Sequence, residues 1–191
     1  MSGGGGGDGG GGAVFLDRDG TINEDSGYIS DPDDLKLLPG AAGAIKRLND
    51  AGVPVIVITN QSGVGRGYYT EDDVRAVNRR MTELLGLEGA EVDGIYYCPH
   101  RPEDDCGCRK PATGLLDAAA RERGVELARS FMVGDKASDV GAAKAAGVKS
   151  VFVLTGHGRA ERDRLEEKGP APDFVAEDIG EAVGWIMAGI K

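Results

Sequence analysis

Six short apolar runs, separated by longer amphipathic stretches, constrain this chain more than any other feature of it. Residues 13–16, 55–58, 95–97, 131–133, 151–154 and the shorter pair 174–175 are each bounded by polar or turn residues. Runs this short, with no polar alternation inside them, read as strands buried on both faces. The stretches between them predict helices over 41–51, 71–85, 115–123, 139–146, 159–168 and 181–188. Strand and helix in strict alternation give an α/β fold: a doubly wound, mostly parallel sheet with helices on both faces. Thr70 followed by Asp73 reads as a capping box, and Gly52, Gly86, Gly124 and Gly147 stand where helices end in left-handed residues.

The alternation begins only at Ala13. Before it, residues 3–12 are glycine except for Asp8, so residues 1–12 are expected to form a flexible tail and 13–191 a single domain. With 40% hydrophobic residues the domain has enough apolar material for one core. No run approaches the roughly 20 apolar residues of a membrane span, and no cleavable leader is visible. The formal charge of −10 argues against a nucleic-acid surface. The expectation is a soluble, cytoplasmic monomer without nucleic-acid or membrane partners.

In a doubly wound sheet ligands bind beyond the carboxyl ends of the strands, which makes those ends informative. The first strand runs into Asp17-Arg18-Asp19-Gly20-Thr21. Carboxylates two residues apart on an extended chain lie on one side, roughly 6–7 Å from each other, and call for a cation such as magnesium. The second strand leads into Thr59-Asn60-Gln61-Ser62-Gly63, whose hydroxyl and N–H groups suit phosphoryl oxygens. After the third strand come Arg109 and Lys110, able to neutralise a phosphate. The fourth ends at Asp135-Lys136, with Asp139 three residues on. Lys136 is a candidate substrate contact; Asp139 has two readings, orienting Lys110 or the metal shell, or capping the next helix. Cys98, His100, Cys106 and Cys108 form two close pairs and supply the four ligands of a closed, structural zinc site. The loop so pinned leads directly to Arg109 and Lys110.

This ordered set of motifs resembles the haloacid dehalogenase superfamily of phosphatases. The resemblance covers nearly everything from Ala13 to Gly158. It implies that Asp17 is a nucleophile forming an aspartyl-phosphate and Asp19 the general acid and base. Thr59 and Lys110 would steady the phosphoryl group. Asp17, the main-chain carbonyl of Asp19 and Asp135 would hold magnesium. Residues 17–23, Gly27-Tyr28, 59–63 and the zinc loop together look like the branch of this superfamily that takes phosphate from heptose bisphosphates, whose relatives acting on histidinol phosphate share the zinc loop. That likeness implies a small phosphorylated metabolite as substrate, first the 7-phosphate of D-glycero-D-manno-heptose 1,7-bisphosphate and alternatively histidinol phosphate. It also implies that Asp25, Ser26, Gly27, Tyr28, Thr59, Asn60, Gln61, Ser62, Arg109 and Lys110 contact the substrate. The loop from His100 to Cys106 is of the compact kind, which leaves both anomers open. No insertion is long enough for a large cap domain. A non-catalytic zinc-stabilised module is the reading that Asp17, Asp19, Lys110 and Asp135 jointly oppose.

Overall fold

The computed structural model describes residues 11–190; the glycine-rich stretch 1–10 lies outside the described residues. Of the expected tail only Gly11 and Gly12 fall within them, and the Gly11 carbonyl accepts a hydrogen bond from Glu126 N–H at 3.1 Å.

Six strands form one sheet: β1 (Val14–Leu16), β2 (Val55–Asn60), β3 (Gly94–Cys98), β4 (Phe131–Gly134), β5 (Lys149–Val153) and β6 (Phe174–Ala176). Their order is β3-β2-β1-β4-β5-β6, and every pairing is parallel. The chain therefore starts at the centre, builds outward through β2 and β3, then returns to place β4 on the other side of β1. That reversal between β1 and β4 creates a crevice at their carboxyl ends. In register, Leu16 stands beside both Val57 and Val133, so the residues after all three strands emerge at one rim.

Alternation along β1 divides the core in two. Val14 and Leu16 face one side, with Val57, Val133 and Val153, and pack on α1 (Ala41–Asp50), α2 (Glu71–Leu87) and α6 (Ile179–Gly189). Ala13 and Phe15 face the other, with Ile56, Ile58 and Met132, against α3 (Gly114–Arg123) and α4 (Ala137–Ala146). α5 (Gly158–Lys168) closes a smaller cluster in which Leu165 meets Phe152 and Val140. Burial on both faces is what the uninterrupted apolar runs require.

All six expected helices are present, with local corrections. The Thr70/Asp73 capping box opens α2 as read from the sequence. The helix then passes through Gly86, which is not its left-handed end. Gly89 takes that place with φ 73°, because Ala90 N–H bonds back to the Leu85 carbonyl and both side chains are buried. α4 starts two residues early, at Ala137, since the Asp139 carboxylate reaches back to Lys136 N–H at 3.0 Å. α6 likewise starts at Ile179, capped by Asp178 on Glu181 N–H at 2.9 Å. Among the described residues no helix is long and apolar enough to cross a membrane.

Candidate active site

Asp17 leaves β1 buried, and its Oδ1 accepts from Lys110 Nζ at 2.9 Å. The same ammonium donates to the Ile58 carbonyl at 2.7 Å and pairs with Asp139 Oδ1 at 2.6 Å. Lys110, 3% exposed, thus stands between two carboxylates. Burial alone would lower its pKa, but Asp139 and Asp17 raise it. Asp139 is pushed up to about 6 by burial, with Lys110 opposing and Asp17 adding to the rise. The proton accordingly resides on the lysine at neutral pH. Both readings of Asp139 hold together: one oxygen caps α4 and the other grips Lys110.

Asp135 follows β4 and is fully buried. Its Oδ2 accepts from His157 N–H at 2.7 Å, while its Oδ1 has no hydrogen-bond partner, the Lys136 ammonium standing 4.0 Å away. Burial, and then the neighbouring Asp17 carboxylate, pushes its pKa up to about 8. Gly20, at φ 86°, makes this placement possible: a Cβ there would lie 2.2 Å from Asp135 Oδ2. Asp17, Asp135 and Asp139 each present an oxygen within 4.8 Å of the others. Crowded carboxylates with a buried oxygen that receives no hydrogen bond fit a hard divalent cation that prefers oxygen ligands. The Asp19 carboxylate is not part of this group, which leaves only its main chain for a metal.

That carboxylate is instead held by four donor contacts. Arg18 grips it in a fork, Nε to Oδ1 at 3.0 Å and Nη2 to Oδ2 at 2.9 Å. Asn23 Nδ2 donates to Oδ1 at 2.9 Å and Gln61 Nε2 to Oδ2 at 2.8 Å. Arg18 is itself buried, and its remaining arm donates to Asn78 of α2 at 2.9 Å. Sequence reasoning missed Arg18, Asn23 and Asn78. A signal existed for Asn78, which sits in the helical series Val74, Met81, Leu85 of a face otherwise apolar.

A cavity of about 280 Å³ opens over these groups, lined by Asp19, Asp25, Gly27, Tyr28, Gln61, Ser62, Arg109, Lys110 and Lys136 among others. A narrow crevice at its base reaches Asp17, Thr59 and Asp139. Both also touch Ser138, at the start of α4, which sequence reasoning did not single out. Of the expected substrate residues all but Ser26 and Thr59 border the cavity, and Thr59 borders the crevice below it. Tyr28, Gln61, Ser62, Arg109 and Lys136 line the cavity directly. Ser26 is exposed and outside its lining. Asn60 lines it too, but its amide is engaged in both directions on the main chain of Lys110, each bond 3.1 Å, so its evident work is to hold that lysine. Asp25 accepts from Lys136 Nζ at 2.9 Å and from Gly27 N–H at 3.0 Å, shaping the loop under Tyr28. A cleft of similar size at the opposite end of the strands, beside Phe131 and Lys149, has no Asp or Glu among the described residues that line it.

Cys98, His100, Cys106 and Cys108 converge at the end of β3. The sulfurs are 3.2–3.5 Å apart, and His100 Nδ1 is 3.3 Å from Cys108 Sγ and 3.6 Å from Cys98 Sγ. A tetrahedral zinc with about 2.3 Å bonds to sulfur separates its ligands by about 3.8 Å, so four donors this close suit one metal ion. Burial pushes Cys98 up to about 12, and a bound cation would have to displace that proton. Arg109 Nη1 donates to the His100 carbonyl at 3.3 Å, tying the cluster to the cavity wall.

Comparison with known proteins agrees with this geometry. Residues 107–182 match a family model described as HAD-hydrolase-like. The D-glycero-D-manno-heptose-1,7-bisphosphate 7-phosphatase of Thermosynechococcus vestitus is 46% identical over 185 residues, 91% of this chain and 94% of that protein. The D-glycero-beta-D-manno-heptose-1,7-bisphosphate 7-phosphatase of Haemophilus ducreyi is 44% identical, covering 91% and 97%. In three dimensions, the D,D-heptose 1,7-bisphosphate phosphatase from B. bronchiseptica, crystallised with magnesium and phosphate, superposes with a TM-score of 0.87 at 37% identity, covering 93% of this chain and 99% of that one. With Asp17 just beyond β1 paired to Lys110, a carboxylate group at the switch point and relatives of this kind along most of its length, the chain is a phosphoric monoester hydrolase of the haloacid dehalogenase class. Within that class it belongs to the family of the D-glycero-D-manno-heptose-1,7-bisphosphate 7-phosphatases.

Proposed function

We propose that this chain removes the 7-phosphate of D-glycero-D-manno-heptose 1,7-bisphosphate through an aspartyl-phosphate on Asp17. The observation that carries the reading is the Asp17–Lys110–Asp139 constellation at the base of a cavity, in a chain whose relatives share that named activity along most of their length. An Asp17 oxygen attacks phosphorus as the bond to the sugar oxygen breaks. Asp19 supplies the proton that this leaving oxygen needs. Asp19, then a carboxylate, takes a proton from the water that cleaves the acyl phosphate, returning Asp17 and releasing inorganic phosphate. The donors around Asp19 suit the carboxylate form required in that second step. Lys110 offsets charge between an anionic nucleophile and an anionic ester, while Thr59 and the N–H groups after β2 receive phosphoryl oxygens.

Magnesium fits Asp17, Asp135 and the Asp19 main chain, and when bound supplies further neutralisation of the phosphoryl charge. Zinc fits the Cys98, His100, Cys106 and Cys108 cluster as a structural ion, all four ligand positions being occupied by protein. The same reading makes the chain a cytoplasmic monomer acting on a small metabolite. Arg109, Lys136 and Tyr28 stand on the cavity wall where a second phosphate and a sugar would lie.

The test is phosphate release, with magnesium, from both anomers of the heptose bisphosphate and from histidinol phosphate. The heptose esters are expected to show the higher kcat/KM. A preference for histidinol phosphate would refute the substrate assignment.

A further inference from the structure

A buried tyrosine outside the motifs is joined to Asp19 by a chain of two hydrogen bonds. Tyr69, 8% exposed, directs its hydroxyl onto Gln61 Oε1 at 2.9 Å. The other end of that amide, Nε2, donates to Asp19 Oδ2 at 2.8 Å and to Thr59 Oγ1 at 2.9 Å. An amide turned through 180° would present its carbonyl to the Asp19 carboxylate, acceptor against acceptor, so the network admits only one orientation. The phenol is the donor that satisfies the carbonyl end once the nitrogen end is committed. Burial raises the pKa of Tyr69 further above neutrality, so the phenol keeps its proton.

The chain has made room for this ring. A Cβ on Gly63 would lie 2.2 Å from Tyr69 Cε1 and 2.7 Å from its hydroxyl oxygen. Only glycine permits the ring to press on the loop after β2 with the hydroxyl beneath Gln61. Tyr69 itself borders the cavity, and on its outer side it meets Tyr28, also in the lining, at a centroid distance of 6.4 Å.

From this geometry we infer that Tyr69 is a positioning residue: through the Gln61 amide it sets the orientation of both Asp19 and the Thr59 hydroxyl. The inference rests on the phosphatase reading for Asp19 but on no particular substrate. Kinetics therefore use whichever ester the wild type turns over fastest. Tyr69→Phe keeps the ring against Gly63 and deletes one oxygen. It is expected to lower kcat about ten- to a hundredfold while KM stays within about twofold, as befits misplaced catalytic groups in an intact pocket. In a Gln61→Met background the same substitution is expected to add nothing, since its route of action is already gone.

A second arm needs no turnover. In the unliganded protein, the Gln61 side-chain amide protons should exchange with solvent at least about tenfold faster in Tyr69→Phe than in the wild type, reflecting loss of a fixed, hydrogen-bonded amide. Should Tyr69→Phe fold poorly, Gly63→Ala, which displaces the ring and leaves the hydroxyl, is expected to give the same loss of kcat. Wild-type kcat in Tyr69→Phe, an undiminished effect in the Gln61→Met background, or unchanged amide exchange would each overturn the assignment. A wild type inert toward heptose bisphosphate but active on another ester would remove the proposed substrate and leave the positioning role standing.

Discussion

Two carboxylates two residues apart, Asp17 and Asp19, have opposite surroundings, and their proposed roles follow from that difference. Asp17 accepts from a single ammonium and sits with the Asp135 and Asp139 carboxylates, so one oxygen remains available for the proposed attack on phosphorus. Asp19 has contacts from four nitrogen donors of Arg18, Asn23 and Gln61 and turns away from that group. Removing the first should abolish the covalent step, while removing the second should slow it. Asp17→Asn is expected to give no phosphoenzyme in rapid-quench labelling. Asp19→Asn is expected to retain phosphorylation but lose about 10²–10⁴-fold in kcat, the usual scale of general acid and base assistance. A phosphoenzyme in Asp17→Asn would move the nucleophile elsewhere.

At the scale of elements, the loop after β3 joins the cysteine cluster to Arg109 and Lys110, and Lys110 is held in line by its own ion pairs, the Ile58 carbonyl and the Asn60 amide. On the proposal that zinc fills this cluster, chelating it is expected to reduce kcat several-fold, expose the loop between Pro99 and Arg109 to protease and leave magnesium binding intact. Undiminished turnover after stoichiometric zinc loss would show that the metal does not order this loop. Farther out, β5 is pinned at its start by Asp173, whose Oδ2 accepts from Ser150 N–H at 2.7 Å, Ser150 Oγ at 2.8 Å and Lys144 Nζ at 2.7 Å. Burial would raise this pKa, yet Lys144 and Ser150 bring it down to about 2. A depressed carboxyl contributes stability above its unfolded pKa and loses it as pH falls through the folded value. Asp173→Asn should therefore lower Tm at pH 7, with the difference from wild type shrinking between about pH 4 and pH 2. A Tm difference constant across that window would show that the charge of Asp173 contributes nothing.

The elements themselves were legible because each strand is a continuous apolar run and each helix lies between two of them. Helix starts were less so. Lys136 is not a residue type that caps, so α4 reads as beginning at Asp139, the residue whose carboxylate does the capping. Strand-end carboxylates, Thr59 and Lys110 were readable as a site for the same reason as the strands, since topology delivers their ends to one rim. Asn78 and Tyr69 were not. Helical spacing marks Asn78 only as a polar residue on an apolar face, and nothing marks Tyr69; their links to Asp19 run through Arg18 and Gln61, contacts that fold geometry creates across 60 and 8 residues.

For the whole molecule, the consequential fact is that β1 and β4, adjacent at the centre of the sheet, carry Asp17 and Asp135 on their ends. The chain halves built outward from these strands meet where like charges are most crowded. Asp135, with its pKa raised to about 8, binds its proton more tightly folded than unfolded. Such a group favours the folded state while protonated, and that contribution is lost as pH rises from the ordinary carboxylate range, about 4, through the folded value. Metal-free protein should therefore lose stability from this group between about pH 4 and pH 8. A cation replacing the proton should restore it, so the rise in Tm on adding magnesium is expected to be larger at pH 8 than at pH 5. Ligand at a hundred times its dissociation constant adds about 2.7 kcal/mol. Asp135→Asn, neutral at every pH, is expected to raise the Tm of the metal-free protein at pH 8 and to blunt the magnesium response. If Asp135→Asn were instead less stable than the wild type without metal at pH 8, charge crowding at the junction of β1 and β4 would not be the strain that the cation relieves.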